Sequence, residues 1–204
     1  MKPSRKKLLL AAAILSVTSL SAVIFNAGAY QGTAMPWLLG NSISWYVGSQ
    51  AWSAILFALG NLAVAILIGQ YLWMLGKSWQ MSRIYFYFIF LVIVALIWLS
   101  VFPLGFFDTP TSKSTISYFH EAGSRTMFFA MAVTAFLLAL KSRSCNLLCF
   151  CLSIFVLYAI ASAVAVLAGV KWFLSGLLFF EAFYIVAFLI LLFWCGSIAP
   201  AQDE

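Results

Sequence analysis

Ionisable side chains are scarce in this chain of 204 residues, and the densest group of those between its termini falls in one stretch, 102–125, which reads FPLGFFDTPTSKSTISYFHEAGSR. It holds Asp108, Lys113, Glu121, Arg125 and the sole histidine, His120. Imidazole exchanges a proton near neutral pH, so His120 is the candidate for proton handling or for contact with a headgroup. On a helix, Glu121 and Arg125 share a face and can pair, while the guanidinium offers a forked donor to phosphate or carboxylate. A helix start at a membrane surface, with its charges solvated, explains the same residues as well. Glu181 is the sharper signal, because it sits about 12 Å inside an apolar run at 1.5 Å per residue. An unpaired carboxylate is costly at that depth. Arg125 lies at a similar depth in its own run and is the expected partner, with His120 or protonation as alternatives. The competing explanation is an ion pair that merely fixes helix packing. Asn61 and Gln70 lie within another run, where amides line a polar path or, more commonly, bond a neighbouring helix. With Ser44 and Asp108 from the loops, the pocket candidates are His120, Glu121, Arg125, Glu181, Asp108, Asn61 and Ser44.

Several chemistries are excluded. One histidine cannot supply two-histidine haem ligation or a multi-histidine zinc site, and no glycine-rich phosphate loop, nucleophile elbow or Cys-x-x-Cys pair is present. Cys145, Cys149, Cys151 and Cys195 lie near or inside apolar runs and are expected to pack as small hydrophobes. No metal and no cofactor are expected.

The elements that must position these residues follow from composition. The chain is 65% hydrophobic and 8% charged, with a mean hydropathy of +1.08, a balance that fits a polytopic membrane protein and no water-soluble domain. The net charge of +6 does not point to nucleic acid, because the basic residues sit at the ends of apolar runs, where they set topology and meet anionic lipid. Six runs are long enough to span a bilayer, at about 8–28, 51–75, 84–104, 119–140, 147–170 and 173–195. The first follows a basic N-terminus and exceeds a signal-peptide core, so it is expected to remain as a helix; its Ala11, Ser16, Ser19 and Ala22 permit close approach. The uncharged stretch 30–50 is expected to lie ordered at the interface, anchored by Trp37, Trp45 and Tyr46. Pro103 and Gly105 end the third span, and Ser117 is a plausible cap for the fourth. Lys2, Arg5, Lys6, Lys7, Lys77, Arg83, Lys141 and Arg143 flank one side of these spans, against Lys113, Arg125 and Lys171 on the other. The expected fold is therefore an all-α, single-domain bundle of six transmembrane helices with both termini in the cytoplasm.

The order Asn41-Ser42-Ile43-Ser44-Trp45-Tyr46, Asn61, Phe102-Pro103, His120 and Met127-Phe128 resembles the bacterial and archaeal membrane family catalogued as domain of unknown function 998. The resemblance covers about 26–140, and the chain has Trp45 where that family often has an acidic residue. It implies a bundle of six or slightly more helices and no agreed activity; a more distant likeness is to eukaryotic six-span lipid-remodelling and autophagy-modulator proteins. The expected function is a multi-pass cell-membrane protein, more a binder than an enzyme, that takes a lipid or other amphiphile in a polar pocket on its outward side. A proton-coupled permease, with Asn61, Gln70 and Glu181 along one path, and a headgroup-directed enzyme, with His120 as base, are the alternatives. Membrane lipids are the expected partners. The charge asymmetry makes a direct prediction. Lys113→Cys, in a background lacking the four native cysteines, is labelled by an impermeant thiol reagent in intact cells; labelling only after the membrane is opened would overturn the topology.

Overall fold

Inside a bilayer no water is at hand to satisfy backbone N–H and C=O groups, so an apolar segment closes its hydrogen bonds on itself as a helix. The computed structural model describes residues 4–26, 47, 51–102, 115–154, 160 and 177–199, and the elements within them are helices and the turns that join them. These are α1 (Arg5–Asn26), α2 (Ala51–Ser78), α3 (Arg83–Val101), α4 (Thr115–Ser142), the short α5 (Cys145–Ile154) and α6 (Leu177–Ile198). All but α5 are long and apolar enough to cross a membrane. Of the expected fifth span, 147–170, the described part is the opening portion in α5 and residue 160. The stretch 30–50, apart from residue 47, lies outside the described residues. Helix α4 begins at Thr115, so Ser117 is inside it rather than its cap; nothing from Thr115 to Ser117 breaks a helix.

Helix α2 packs along both α1 and α3, α3 along α4, and α6 against α4 and α1, which closes the five long helices into a ring. Lipid offers no hydrophobic gain for that association, so it rests on close backbone approach and on hydrogen bonds between helices. Both are present. Three buried tyrosine hydroxyls each donate to a backbone carbonyl of a neighbouring helix: Tyr85 of α3 to Leu72 of α2 at 3.0 Å, Tyr71 of α2 to Leu192 of α6 at 2.8 Å, and Tyr184 of α6 to Phe128 of α4 at 2.8 Å. Helices α1 and α2 touch where Thr18 lies over Gly60: a Cβ on that glycine would come within 2.7 Å of Thr18 Cγ2. On α1 the small residues Ala11 and Ala22 are buried as expected, whereas Ser16 faces out. The outer surface is large and apolar, with Ile24, Ile66, Phe90, Phe129 and Ile190 all exposed. A face of that kind is suited to lipid rather than to water.

The connection from α2 to α3 is short and well fixed. Met81 N–H reaches back to Gly76 C=O at 2.9 Å and Gln80 N–H to Lys77 C=O at 3.1 Å, with Gln80 in the left-handed region at φ 50°. This is the Schellman closure, which satisfies carbonyls that the helix end leaves open. It lays Tyr85 across Gly76 so closely that any Cβ there would collide with the ring. The basic residues gather at this end. Arg5 lies 5.1 Å over the Phe193 ring, Lys77 lies 5.5 Å over Trp73, and Lys7 Nζ donates to Gln70 Oε1 at 2.5 Å. Arg83 opens α3 here, and Lys141 and Arg143 close α4.

Cys151 and Cys195 are buried, and Cys151 Sγ lies 3.7 Å from the Ala135 carbonyl, joining α5 to α4. Cys145 and Cys149 are exposed, which corrects the expectation that all four cysteines pack inside: the turn at Arg143 presents the start of α5 to the surroundings. A test of the packing follows. Gly76→Ala must displace a fully buried Tyr85 and strain the Leu72 hydrogen bond, so the melting temperature in detergent falls; overpacking of this kind costs about 1–3 kcal/mol. Tyr85→Phe, which removes the hydroxyl alone, costs about 1 kcal/mol.

Candidate functional site

The ring of helices does not close on itself completely. A crevice with about 760 Å³ of empty space, counted out to its open side, runs between α1, α2, α3, α4 and α6. Ser19 of α1, Asn61 of α2, Ser124 of α4 and Glu181 of α6 contribute its polar atoms. All four stand in the half of their helices away from the basic end. The rest of the wall is apolar: Phe57, Leu99 and Met127 stand beside those four, and Ala11, Ile68, Val92, Met131 and Leu189 continue it toward the basic end. The crevice is thus amphipathic along its length.

Asn61 is the most telling member. It is 2% exposed, and its Oδ1 meets no donor among the described residues. Leaving a buried amide carbonyl without a donor costs about 1–3 kcal/mol. Thr134 Oγ1 and Trp79 Nε1 share that state, but neither lines the cavity. Asn61 reaches this position because Gly60, the residue before it, lets α1 and α2 approach closely, holding that turn of α2 against the ring interior.

The expected pairing of Glu181 with Arg125 is not formed. Glu181 is on the inner wall, whereas Arg125 has a side chain 83% exposed and lies 3.6 Å from Glu121, as their spacing on one face allows. Equal depth brought the two to one level but not to one side. Arg125 shares its face of α4 with Ala122 and Phe129, both exposed, while Ser124 shares its own with Met127, Phe128 and Met131. Gln70 is also displaced from the site: it is exposed and accepts the Lys7 bond in an outer groove with Leu62, Ile66, Trp73 and Ile97. No single path therefore joins Asn61, Gln70 and Glu181. Asp108 and Ser44 lie outside the described residues.

His120 is brought to the same end of the bundle and given different work. It is 3% exposed, and its Nδ1–H donates to the Phe102 carbonyl, the residue that caps α3. Trp98 answers from the other helix, its Nε1–H donating to the Phe119 carbonyl at 2.8 Å. The rings of Trp98, Phe102 and Phe119 pack together, with centroids 4.8 to 5.9 Å apart. Gly123 makes room for the Trp98 indole, since a Cβ there would clash with it. This reciprocal clasp joins the end of α3 to the start of α4. It uses the imidazole proton on backbone, so the neutral ring is the Nδ1–H tautomer. Among the described residues no group of three or more His, Cys, Asp and Glu side chains could hold a metal ion.

Sequence reasoning missed Ser124. The signal was available in its helical spacing from Met127, Phe128 and Met131, all on one face. No family model matches the chain, and neither a curated protein nor a solved structure matches it. Two expected outcomes separate the roles drawn here. His120→Ala removes a buried bond and loosens the α3–α4 junction, lowering stability by about 1–3 kcal/mol in detergent unfolding. Arg125→Ala removes an exposed pair on one helix face and changes it by no more than about 0.5 kcal/mol. A double-mutant cycle between Arg125 and Glu181 gives no coupling.

Proposed function

We propose that the chain is a multi-pass protein of the cell membrane that holds a lipid or other amphiphile in the crevice between its helices. The observation that carries this reading is Asn61, a deeply buried amide with an unsatisfied Oδ1 on the wall of a cavity that is apolar beyond it. An amphiphile fits both parts: its head supplies hydrogen bonds among Asn61, Ser19, Ser124 and Glu181, and its chain follows the apolar wall. Neither a proton-coupled permease nor a headgroup-directed enzyme draws comparable support, since Gln70 stands outside the crevice and His120 is spent on the Phe102 carbonyl.

The orientation belongs to the same proposal. Helix α4 ends at the basic end, and α6 starts at the far end, because its later residue Phe193 lies beneath Arg5 at the start of α1. With α4 ending and α6 starting at opposite ends, the order of the helices supports one further crossing between them and six spans in all. Both termini fall at the basic end. The positive-inside rule assigns that end to the cytoplasm, so the polar half of the crevice faces outward.

The test uses the full chain extracted in a mild detergent. Native mass spectrometry of the wild type is expected to retain a small amphiphilic mass that Asn61→Leu loses. The reading fails if the wild type carries no such mass and Asn61→Leu simply raises the melting temperature, because filling an empty crevice with an apolar side chain removes an unpaired amide at no loss.

A further inference from the structure

We infer that the outer groove beside α2 is a second, separate site, which holds one anionic phospholipid with its phosphate on Lys7 and a hydrocarbon chain laid toward Leu62. The groove shares no residue with the crevice, and the inference does not rest on the amphiphile reading. Lys7 of α1, Leu62, Ile66, Gln70 and Trp73 on one face of α2, and Ile97 of α3 bound it. Leu62, Ile66, Trp73 and Ile97 are all exposed, so the groove opens on the surface that suits lipid. From Leu62 to Trp73 it runs about 16 Å along the helix at 1.5 Å per residue, close to one leaflet of a hydrocarbon core about 30 Å thick.

The charge is confined to one end. Lys7 is half-buried and gives one N–H to Gln70 Oε1 at 2.5 Å. An amide is neutral, so that bond fixes the cation without cancelling it. Two ammonium N–H donors are left, and no anion pairs with Lys7 among the described residues. The Gln70 N–H₂ and the Trp73 indole N–H belong to the same end, Lys77 lies 5.5 Å over the Trp73 ring, and Arg5 and Lys6 are exposed on the first turn of α1. The described carboxylates, Glu121 and Glu181, stand near the starts of α4 and α6, at the opposite end. No described group beside Lys7 would therefore receive the cation of a zwitterionic head. A lysine near a helix end ordinarily stretches up to water. Lys7 is instead held on the flank of α2, which continues about 12 Å past Gln70 at the same rise per residue. A lipid phosphate there supplies the counter-charge, and its chain covers Ile66 and Leu62.

Native mass spectrometry of the purified, delipidated full chain tests this. Phosphatidylglycerol and phosphatidylcholine with identical chains are titrated separately, with inorganic phosphate as a competitor. The wild type is expected to retain one phosphatidylglycerol at least fivefold more tightly than phosphatidylcholine. Lys7→Gln, which removes the charge and keeps a donor for Gln70, is expected to lose that preference, and Lys7→Arg to keep it. Lys141→Gln, at the same end but on α4, and Asn61→Leu, in the crevice, are expected to leave it unchanged. Ile66→Trp fills the groove without touching a charge and is expected to weaken phosphatidylglycerol at least fivefold, a readout that stands should Lys7→Gln fail to fold. Equal binding of the two lipids overturns the site, as does a preference that survives Lys7→Gln or an Ile66→Trp chain that binds like the wild type. A loss in Lys141→Gln as complete as in Lys7→Gln would show diffuse charge in place of a groove, and a loss in Asn61→Leu would put the lipid in the crevice. Displacement of the lipid by inorganic phosphate would show an anion site that needs no chain. Each of these three results also overturns the proposal.

Discussion

Helices in lipid gain nothing by hiding apolar surface from a solvent that is equally apolar, so this bundle depends on contacts that lipid cannot imitate. Its three tyrosine hydroxyls are such contacts. Each ends on a carbonyl already engaged in its own helix, using the second lone pair of that oxygen; two join helices that follow one another around the ring, and the Tyr71 bond ties α2 to α6 across it. Without them, Tyr71 and Tyr85 would each bury a hydroxyl with no partner. The glycines act with the tyrosines: Gly76 gives the Tyr85 ring its space, and Gly123 gives space to the Trp98 indole. What fixes the fold is therefore a few polar and small residues set into an apolar chain.

That division explains what was legible beforehand. Long apolar runs announce helices by length alone, and among the described residues five of the six runs hold a helix long and apolar enough to cross a membrane. Which side of each helix faces inward was harder to read, because α2 and α6 are apolar all round and give no contrast between a lipid face and a core face. Leu59 and Ile66 face out while Val64 and Ile68 face in, and composition does not distinguish them. Argument from cost did better. Asn61 and Glu181 were singled out because a polar group within a span needs a reason, and both line the crevice.

Depth is a single coordinate, however, and the pairing of Glu181 with Arg125 failed on the second. Successive residues turn about 100° around the axis, so residues at one level point anywhere on the circle. The exposed Phe129, one turn from Arg125, already indicated the outer face. His120 misled for a related reason. A lone histidine near the end of a span suggests proton chemistry, yet here it ties the carbonyl that caps α3, a group that a helix end leaves open.

An empty crevice would be a poor arrangement for a bundle held by so few polar contacts, because atoms lining a void lose dispersion partners outright. In water such a void would be closed by collapse of the core. In a bilayer the surroundings are themselves hydrocarbon chains, and filling an apolar slot with one of them exchanges like for like. The apolar half of this crevice therefore has little means of choosing among occupants. On the proposed amphiphile reading, discrimination would come from the few atoms that lipid tails cannot satisfy, and those lining the crevice belong to Asn61, Ser19, Ser124 and Glu181. The same scarcity of polar groups that makes the fold readable from its apolar runs also confines chemical choice to one short section of the crevice.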